Sequence, residues 1–329
     1  MENYNIENYH EFFRTMYERQ LIWKRRFIDK LDRKLWTNDK IFQTYKFTNV
    51  YRELDRNSQY CINKIILQNK NENLQNLLWK TLVYRLFNNP NTFEEASKYW
   101  PCGIPDYNNF YAEQNSYLEF MNALSLEGNI FTSAYLIRSS AENGQTRTEC
   151  YINKVLPRLN YLIDNLINVC KNAITPEMII NKLMEIPGVA SFIAYELYND
   201  MLYINRFTDY KLIPFDANAY VNVGPGSSMG IKLIYPSIKT KKECKCAMFN
   251  LLYEAPKQLE LLSNDYIDAM PFAFYDNENK RYNITNNCNF VISNIEHWLC
   301  EYSKYYRLAN MTGKKQKLFK PISKNNMYE

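Results

Sequence analysis

The stretch "ITPEMIINKLMEIPGVASFIAYELYNDMLY", residues 174–203, decides the predicted fold. Thr175 can cap a helix that has Pro176 in its first turn, a common start signal of helices. This helix has to stop before Pro187, and Gly188 permits the backbone angles of a tight turn. A second helix follows at once, and four of its apolar residues are expected to face the core: Val189, Phe192, Ile193 and Leu197. The pattern predicts a helix-hairpin-helix, with an ordinary corner between two helices as the alternative.

The turn of such a hairpin is suited to binding DNA. Backbone N–H groups at a helix N-terminus can hold a phosphate without reading the base sequence. We therefore expect the turn residues Pro187, Gly188 and Val189 to contact DNA.

Apolar residues recur at helical spacing along most of the chain. One face of residues 159–173 carries Leu159, Leu162, Ile163, Leu166 and Ile167, at steps of three and four. Similar patterns occur over residues 8–31, 74–88, 178–203 and 290–306. Prolines and glycines are scarce (12 and 8 in 329 residues), and strands alternating with turns are hard to find. The sequence therefore predicts a mostly α protein.

Residues 88–109, which are rich in helix breakers, separate an N-terminal helical part from the rest. We predict an N-terminal part, 1–100, and a part that contains the hairpin, 101–310. The two can form one composite domain. The basic tail, 311–329, is expected to be mobile.

Positive charge is concentrated in three segments, although the formal net charge is only +5. In residues 23–36, 239–245 and 307–320, Lys and Arg are interleaved with aromatic or aliphatic residues. This mixture suits a groove that follows a phosphate backbone. A set of solvated helix faces is the alternative.

The eight cysteines include no CxxC pair, and the CxC of Cys244 and Cys246 is a weak metal signal. The two histidines, His10 and His297, have no second ligand spaced for a metal. The start of the chain has no apolar signal-peptide core, and no later run could span a bilayer. We therefore expect reduced thiols, no metal, no cofactor, no membrane contact and a soluble intracellular protein, in the cytoplasm or in a eukaryotic nucleus.

Two segments resemble the DNA glycosylase superfamily. "EIPGVASFIA" (185–194) looks like its helix-hairpin-helix, and "KLIPFDANAY" (211–220) looks like the segment that carries its catalytic aspartate. The resemblance implies a glycosylase-like helical architecture, with Asp216 as that aspartate. Phe192 stands where bifunctional members carry a nucleophilic lysine, so Schiff-base lyase chemistry is not expected. The iron–sulfur loop of some members has no counterpart.

A narrower resemblance covers most of the chain. Five segments carry it: "LWTNDKIFQTYKFTNVYRELDRNSQY" (35–60), "FNNPNTFEEA" (87–96), the hairpin, "VGPGSSMGIK" (223–232) and "HWLCEYSKYYR" (297–307). They are similar to the α-glutamyl/putrescinyl-thymine pyrophosphorylase family, which includes the helical domain of 5-hydroxymethyluracil DNA kinases.

The family resemblance implies action on hypermodified thymine in DNA. A hydroxymethyl group on thymine is first phosphorylated, then displaced by an amine from an amino acid or polyamine. It also implies a separate hydroxymethyluracil DNA kinase as a partner. Kinase activity of this chain itself is not expected, because Ile231 separates Gly230 from Lys232 and breaks the GxxxxGK[ST] pattern.

Displacement at the 5-methylene carbon needs a base for the amine and cations for the departing phosphate. Asp216 is the predicted base, with a helix cap as its alternative role. Arg52 can make a forked contact to phosphate, and Asp55 can orient it; a structural Arg–Asp pair is the alternative. Glu296 and Glu301 are weaker candidates for polar contacts in a cleft.

The target base has to be flipped out of a duplex or already single-stranded, and then held by stacking and hydrogen bonds. We predict that Asn49, Tyr51 and Tyr220 line this base pocket, although each tyrosine could instead belong to the core.

The glycine-rich "NVGPGSSMGIK" (222–232) is predicted to present backbone N–H groups to a DNA phosphate or to a phosphate on the modified base. The residues involved would be Gly224, Gly226, Ser227 and Ser228, with Lys232 nearby. A structural turn without a ligand is the alternative.

Two other functions stay open. A monofunctional glycosylase would excise a modified pyrimidine, and a non-enzymatic reader would bind modified DNA without changing it.

Overall fold

The computed structural model describes residues 4–132, 144–263, 273–276, 281–284, 290–312 and 317–319. These residues are predominantly helical, which confirms the predicted mostly α class. The described strands are β1 (Ala273–Asp276) and β2 (Arg281–Ile284), an antiparallel pair in which Ala273 lies opposite Ile284.

Helices make up most of the described residues on both sides of the gap at 133–143. Up to residue 132 they are α1 (Ile6–Phe27), α2 (Lys40–Thr44), α3 (Arg56–Tyr60), α4 (Leu74–Phe87), α5 (Pro90–Ala96) and α6 (Phe110–Glu127). After it they are α7 (Arg147–Cys150), α8 (Leu156–Asn172), α9 (Pro176–Leu183), α10 (Ser191–Phe207), α11 (Pro225–Ile234), α12 (Lys241–Glu260) and α13 (Ile292–Ala309). Short 3₁₀ helices span Arg33–Leu35, Arg52–Leu54 and Pro101–Gly103, and π-helical turns span Cys61–Ile66 and Tyr151–Val155.

The chain forms two compact units. Unit 1 combines Met1–Ser58 with Val221–Glu329, and unit 2 is the continuous segment Gln59–Tyr220. The predicted parts 1–100, 101–310 and 311–329 have other bounds, and that division stays a prediction.

Unit 1 is built around α1 and the helices of its second segment. Asn5 caps α1 by accepting a hydrogen bond from the Asn8 N–H, and basic residues in its last turn suit the negative end of the helix dipole. α1 packs against α11, α12 and α13. The buried ring of Phe12 meets Tyr302 edge to face, and the Trp298 indole N–H donates to the Phe12 carbonyl.

Unit 2 has α4 at its centre, packed against α8, α10 and the π-turn Cys61–Ile66. The apolar face predicted for residues 159–173 lies on α8, and all five of its residues are buried. Arg85 on α4 forms a forked ion pair with Asp200 on α10, and both side chains are fully buried. This pair ties two core helices together.

Residues 174–203 contain α9, a turn and most of α10. α9 begins at Pro176, as predicted, with Thr175 at the N-cap position, although the Thr175 side chain makes no capping hydrogen bond. Gly188 has a positive φ of 78° in the turn. Val189, Ile193 and Leu197 are buried. Phe192 was expected to face inward, but it is 41% exposed, because helical geometry turns it away from the face that Ile193 and Leu197 share.

The described part of the basic tail pairs with the chain near α2. Leu318 forms an antiparallel bridge with Tyr45, and the Phe319 N–H donates to the Thr44 carbonyl. Backbone hydrogen bonds thus hold residues 317–319, whereas residues 313–316 and 320–329 of the tail lie outside the described residues.

Candidate active site

Two predicted catalytic residues, Arg52 and Asp55, lie in one short turn of unit 1. Arg52 begins the 3₁₀ helix Arg52–Leu54, and Asp55 ends it by donating its N–H to the Arg52 carbonyl. The Arg52 side chain is fully buried, while Asp55 is partly exposed. Of the two residues, Asp55 is the one with some solvent exposure.

Asn49 organises this turn. Its own N–H donates to Asp55 Oδ1 (2.9 Å), and its Nδ2 donates to the Leu54 carbonyl (2.8 Å). Its Oδ1 accepts a hydrogen bond from Arg19 Nη2 (2.7 Å). Asn49 thus fixes the positions of the Asp55 and Arg19 side chains relative to each other. Its predicted place in a base pocket stays a prediction.

The surroundings of Asp55 favour its protonated form. Desolvation raises the pKa of Asp55 to about 6, against the opposing effects of the Asn49 N–H and the charges of Arg19 and Arg52. Burial also lowers the pKa of Arg19 to about 10, and the charge of Asp55 opposes this. The carboxyl therefore titrates near neutral pH, where a general base is useful.

Glu296 on α13 is a second carboxylate of this kind. It is buried, and desolvation raises its pKa to about 7, although a hydrogen bond with Ser227 and the charge of Arg52 oppose the shift. The charge of Arg52 thus acts on both carboxylates, Asp55 and Glu296. We call Arg19, Asn49, Arg52, Asp55 and Glu296 the carboxylate cluster.

Sequence reasoning missed Arg19 and gave Glu296 only a minor role. Arg19 belongs to no motif, and its position in the middle of α1 looks like that of any amphipathic helix residue. Glu296 is one residue within the helix α13, and its neighbours in the sequence do not indicate that it is buried. Only the packing of α1 and α13 within unit 1 brings them to the turn at Arg52.

Residues 225–232 of the glycine-rich segment 222–232 lie in α11, and Gly224 is at the N-cap position of this helix. The Gly224 N–H donates to Ser227 Oγ, and Ser227 is buried beside Glu296. A Cβ at Gly226 would lie 2.3 Å from Cys300 Sγ, and one at Gly230 would lie 2.3 Å from the Leu299 carbonyl oxygen. These two glycines therefore allow α11 to approach α13 closely.

Ser228 and Lys232 lie further along the same helix. Ser228 Oγ is 3.9 Å from Cys244 Sγ, and Lys232 is exposed. Phosphate binding by Gly224, Gly226, Ser227, Ser228 and Lys232 stays a prediction.

Tyr51 and Tyr220, predicted to line a base pocket, have different surroundings. Tyr51 is fully buried and meets Phe290 edge to face at 5.2 Å, so it belongs to the core of unit 1. Tyr220 is half-buried in unit 2, and its ring packs against Tyr195 (5.7 Å) and Tyr198 (6.1 Å). The base-pocket role of both stays a prediction.

Asp216 lies in unit 2 and is exposed. Its Oδ1 accepts a hydrogen bond from the Asn218 N–H (2.6 Å), which makes it the first residue of a turn rather than a helix cap. Burial, and secondarily the charge of Asp216, raises the pKa of the Tyr198 hydroxyl. Catalysis by Asp216 stays a prediction.

The turn between α9 and α10 exposes Pro187 and Gly188, while Val189 is buried. The Val189 N–H donates to the Ile186 carbonyl at 3.0 Å, so this N–H already has a partner within the turn. DNA binding by the turn stays a prediction.

Within the described ranges, no three His, Cys, Asp or Glu side chains are grouped so as to hold a metal ion. The cysteines that the structure describes are free thiols, and Cys288 lies outside the described residues. None of the helices in the described part of the chain is long and apolar enough to cross a membrane.

Comparison with known proteins agrees with the resemblance seen in the sequence. The family model described as "5-hmdU DNA kinase, helical domain" matches residues 7–315. The 5-hmdU DNA kinase of Bacillus phage SP10 is 28% identical over 306 residues, which are 90% of this chain and 44% of that protein. This chain thus spans less than half the length of that relative. No solved structure matches. Because the family model covers nearly the whole sequence, the chain belongs to the family of 5-hmdU DNA kinase helical domains.

Proposed function

We propose that this chain is an enzyme that acts on the 5-hydroxymethyl group of 5-hydroxymethyluracil in DNA, or on its phosphorylated form. The family and the name of the phage relative support modified thymine as the target. The observation that carries the proposal is the carboxylate cluster, in which Asp55 and Glu296 have pKa values near 6 and 7. Perturbed carboxylates beside buried arginines are typical of acid–base sites.

Within the cluster, Asp55 is the proposed general base. It is partly exposed, and Asn49 fixes its carboxylate. Arg19 is also partly exposed and can hold a phosphate group of the substrate. Arg52 and Glu296 are buried, so we assign them to positioning, and the charge of Arg52 also lowers the pKa of Asp55.

The first candidate reaction joins an amine to the 5-methylene carbon. Asp55 takes a proton from the amine, a nitrogen–carbon bond forms, and the carbon–oxygen bond to the phosphate or pyrophosphate breaks. The leaving group departs with the bonding electron pair, and a guanidinium stabilises its charge. The co-substrate would be an amino acid or a polyamine, and a separate kinase would supply the phosphorylated base.

The second candidate reaction is phosphorylation of the hydroxymethyl group, which the name of the phage relative suggests. The sequence argues against it, because this chain lacks the GxxxxGK[ST] pattern, so the phosphoryl donor would have to be bound in another way. Asp55 would then take the proton of the hydroxyl group while the hydroxyl oxygen attacks the terminal phosphorus of ATP. The bond from that phosphorus to the bridging oxygen breaks, and ADP leaves with the bonding electron pair. Both reactions need a base beside a cation, so the same cluster serves either.

Mass spectrometry of digested nucleosides separates these possibilities. DNA containing 5-hydroxymethyluracil, with and without prior phosphorylation, is incubated with the protein and either ATP or a set of amines. A heavier nucleoside with an amine supports the first reaction, and a phosphorylated nucleoside with ATP supports the second. Release of free base would identify a glycosylase instead. Binding without any change in any arm would indicate a reader and contradict the proposed enzyme.

Two matched variants test the site. Asp55→Asn keeps the shape of the side chain and should lower the rate about 10² to 10⁴-fold, the usual contribution of a general base. Asp216→Asn makes the same change in unit 2. Loss of turnover in Asp216→Asn, with normal turnover in Asp55→Asn, would assign the chemistry to Asp216 and overturn the role of Asp55.

A further inference from the structure

Residues 46–49 lie after α2 and have no regular secondary structure. Backbone polar groups in such a segment need other partners, and several of those in residues 46–49 are bound by charged side chains. Arg19 Nη2 donates to the Phe47 carbonyl (3.3 Å), and the Asn49 N–H donates to Asp55 Oδ1 (2.9 Å). The conformation of this segment therefore affects where the Asp55 carboxylate lies.

Two side chains of α13, Glu301 and Lys304, bind the first part of this segment. The Thr48 N–H donates to Glu301 Oε2 (3.3 Å), and Lys304 Nζ donates to the Lys46 carbonyl. Glu301 and Lys304 are three residues apart on the helix and form an ion pair (3.1 Å). Their side chains are only 14% and 17% exposed, so this pair is screened less than one at the surface.

Phe47 anchors the segment between these two polar contacts. Its buried ring packs against Phe42 on α2 (4.9 Å) and Tyr305 on α13 (6.2 Å). Lys304 Nζ lies 4.2 Å from the centroid of the same ring, which is a cation–π contact. The carbonyl before Phe47, its ring and the N–H after it are thus all in contact with residues of α13.

Glu301 also acts on Asp55 through its charge. The two carboxylates accept hydrogen bonds from consecutive backbone N–H groups, and both act on Arg19. Burial is the largest cause of the raised pKa of Asp55, and the charge of Glu301 adds to it, whereas a backbone N–H and two arginines oppose it. The charged groups that act on Asp55 are therefore Arg19 on α1, Arg52 in its own turn and Glu301 on α13.

We propose that Glu301 and Lys304 are positioning residues for Asp55. They fix residues 46–48 on α13, and this fixes Asn49, whose N–H holds the Asp55 carboxylate. Neither residue needs to touch the substrate, since both act through the backbone. The inference rests on the proposed role of Asp55 as general base. Misplacing a catalytic group by about 1 Å can cost about 10²-fold in rate.

The first experiment measures amide hydrogen exchange of residues 46–55 in the full chain by mass spectrometry. Glu301→Ala removes a hydrogen-bond acceptor from this segment, and Lys304→Met removes a donor. Exchange should be at least about tenfold faster in both variants, as expected for the loss of one charge-assisted hydrogen bond. Glu301→Gln keeps an acceptor oxygen and should exchange nearly like the parent protein.

The matched control is Glu95→Ala in unit 2. Glu95 and Lys98 form an ion pair with the same spacing of three residues, but both side chains are exposed and contact no residue of 46–55. Glu95→Ala should therefore leave exchange in that segment unchanged. Circular dichroism establishes that each variant is folded.

The second experiment follows the Asp55 carboxyl by carbon NMR in protein labelled at its aspartates, with Asp55→Asn identifying the signal. Glu301→Gln removes a negative charge that raises the pKa of Asp55, so this pKa should fall below its value in the parent. A general base acts in its deprotonated form, so the acidic side of the pH–rate profile should also move to lower pH. A merely structural role of Glu301 would move neither.

Turnover of modified DNA completes the test. Glu301→Ala and Lys304→Met should lower kcat about 10- to 100-fold with little change in KM, and Glu301→Gln should keep most of the maximal rate. Unchanged exchange in Glu301→Ala, together with an unchanged pKa of Asp55 in Glu301→Gln, would overturn the proposal.

The same variants separate this proposal from the proposed function. If exchange and the pKa of Asp55 change as expected but folded Asp55→Asn turns over normally, the positioning of the carboxylate stands and its role as general base fails. If Asp55→Asn loses turnover while exchange and the pKa stay at their parent values, the reverse holds.

Discussion

At the scale of single residues, the carboxylate cluster is set by desolvation. Removing a carboxylate from water disfavours its charged form, and a nearby guanidinium offsets only part of that cost. For Glu296 the burial effect is the largest, so the pKa lies near 7 despite Ser227 and Arg52. For Asp55 burial is also the largest effect, and it raises the pKa from 3.8 to about 6 against the Asn49 N–H and the charges of Arg19 and Arg52.

Glu296→Gln should stabilise the protein at pH 8. Burial raises the pKa of Glu296 in the folded protein from its usual 4.5 to about 7. Below pH 4.5 the side chain is protonated in both states and does not change the free energy of unfolding. Above pH 7 it is charged in the folded protein and lowers the free energy of unfolding most. The shift corresponds to at most about 3 kcal/mol. Urea unfolding at pH 8 should therefore show a gain of up to about 3 kcal/mol, and at pH 5 a difference below about 1 kcal/mol. A loss of stability at pH 8 would mean that Arg52 depends on the Glu296 charge.

At the scale of elements, α11 and α13 depend on two glycines four residues apart. A glycine-to-alanine change inside an exposed helix usually stabilises it by about 0.5–1 kcal/mol. Here the added Cβ would meet α13 at 2.3 Å for both Gly226 and Gly230. We therefore expect alanine at either position to destabilise the protein.

Gly230→Ala should cost about 3 kcal/mol, because its Cβ meets the rigid backbone carbonyl of Leu299. Gly226→Ala should cost less, since its contact is the Cys300 thiol, which can rotate. Gly224→Ala is the control: its Cβ would have only ordinary contacts, at 3.6 Å or more. Thermal unfolding of the three variants checks the order, and a stabilised Gly230→Ala would refute the close packing of α11 on α13.

The ion pair between α4 and α10 gives a second prediction at this scale. Arg85 and Asp200 are both fully buried, and Arg85 also donates to Asn88 Oδ1. Asp200→Asn should cost about 3–5 kcal/mol, because it leaves a buried guanidinium without its counter-charge. The double variant Arg85→Met, Asp200→Leu should recover most of that loss in urea unfolding. If the double variant is as unstable as Asp200→Asn, the ion pair itself stabilises the fold and apolar side chains cannot replace it.

At the scale of the whole molecule, the two units differ in how the chain builds them. Unit 2 is one continuous segment of ordinary domain size, whereas unit 1 needs both ends of the chain. The fragment 59–220 should therefore fold alone, with helical circular dichroism and a cooperative urea transition. The fragment 1–58 lacks α11, α12 and α13 and should stay unfolded. A fragment 59–220 without a cooperative transition would mean that unit 2 is not independent.

The sequence by itself determined the class of fold, the face of α8, the start of α9, the glycine turn after it and the family. These follow from periodicity, breakers and motifs, which act between residues close together in the chain. Tertiary structure decided the rest: Arg19 and Glu296 join Arg52, Gly226 and Gly230 let α11 pack closely on α13, and Tyr51 is buried in the core. A helix pattern tells which face is apolar, but not which distant helix covers it. The burial that moves the pKa values of Asp55 and Glu296 therefore exists only once α1, α11 and α13 are packed around the turn at Arg52.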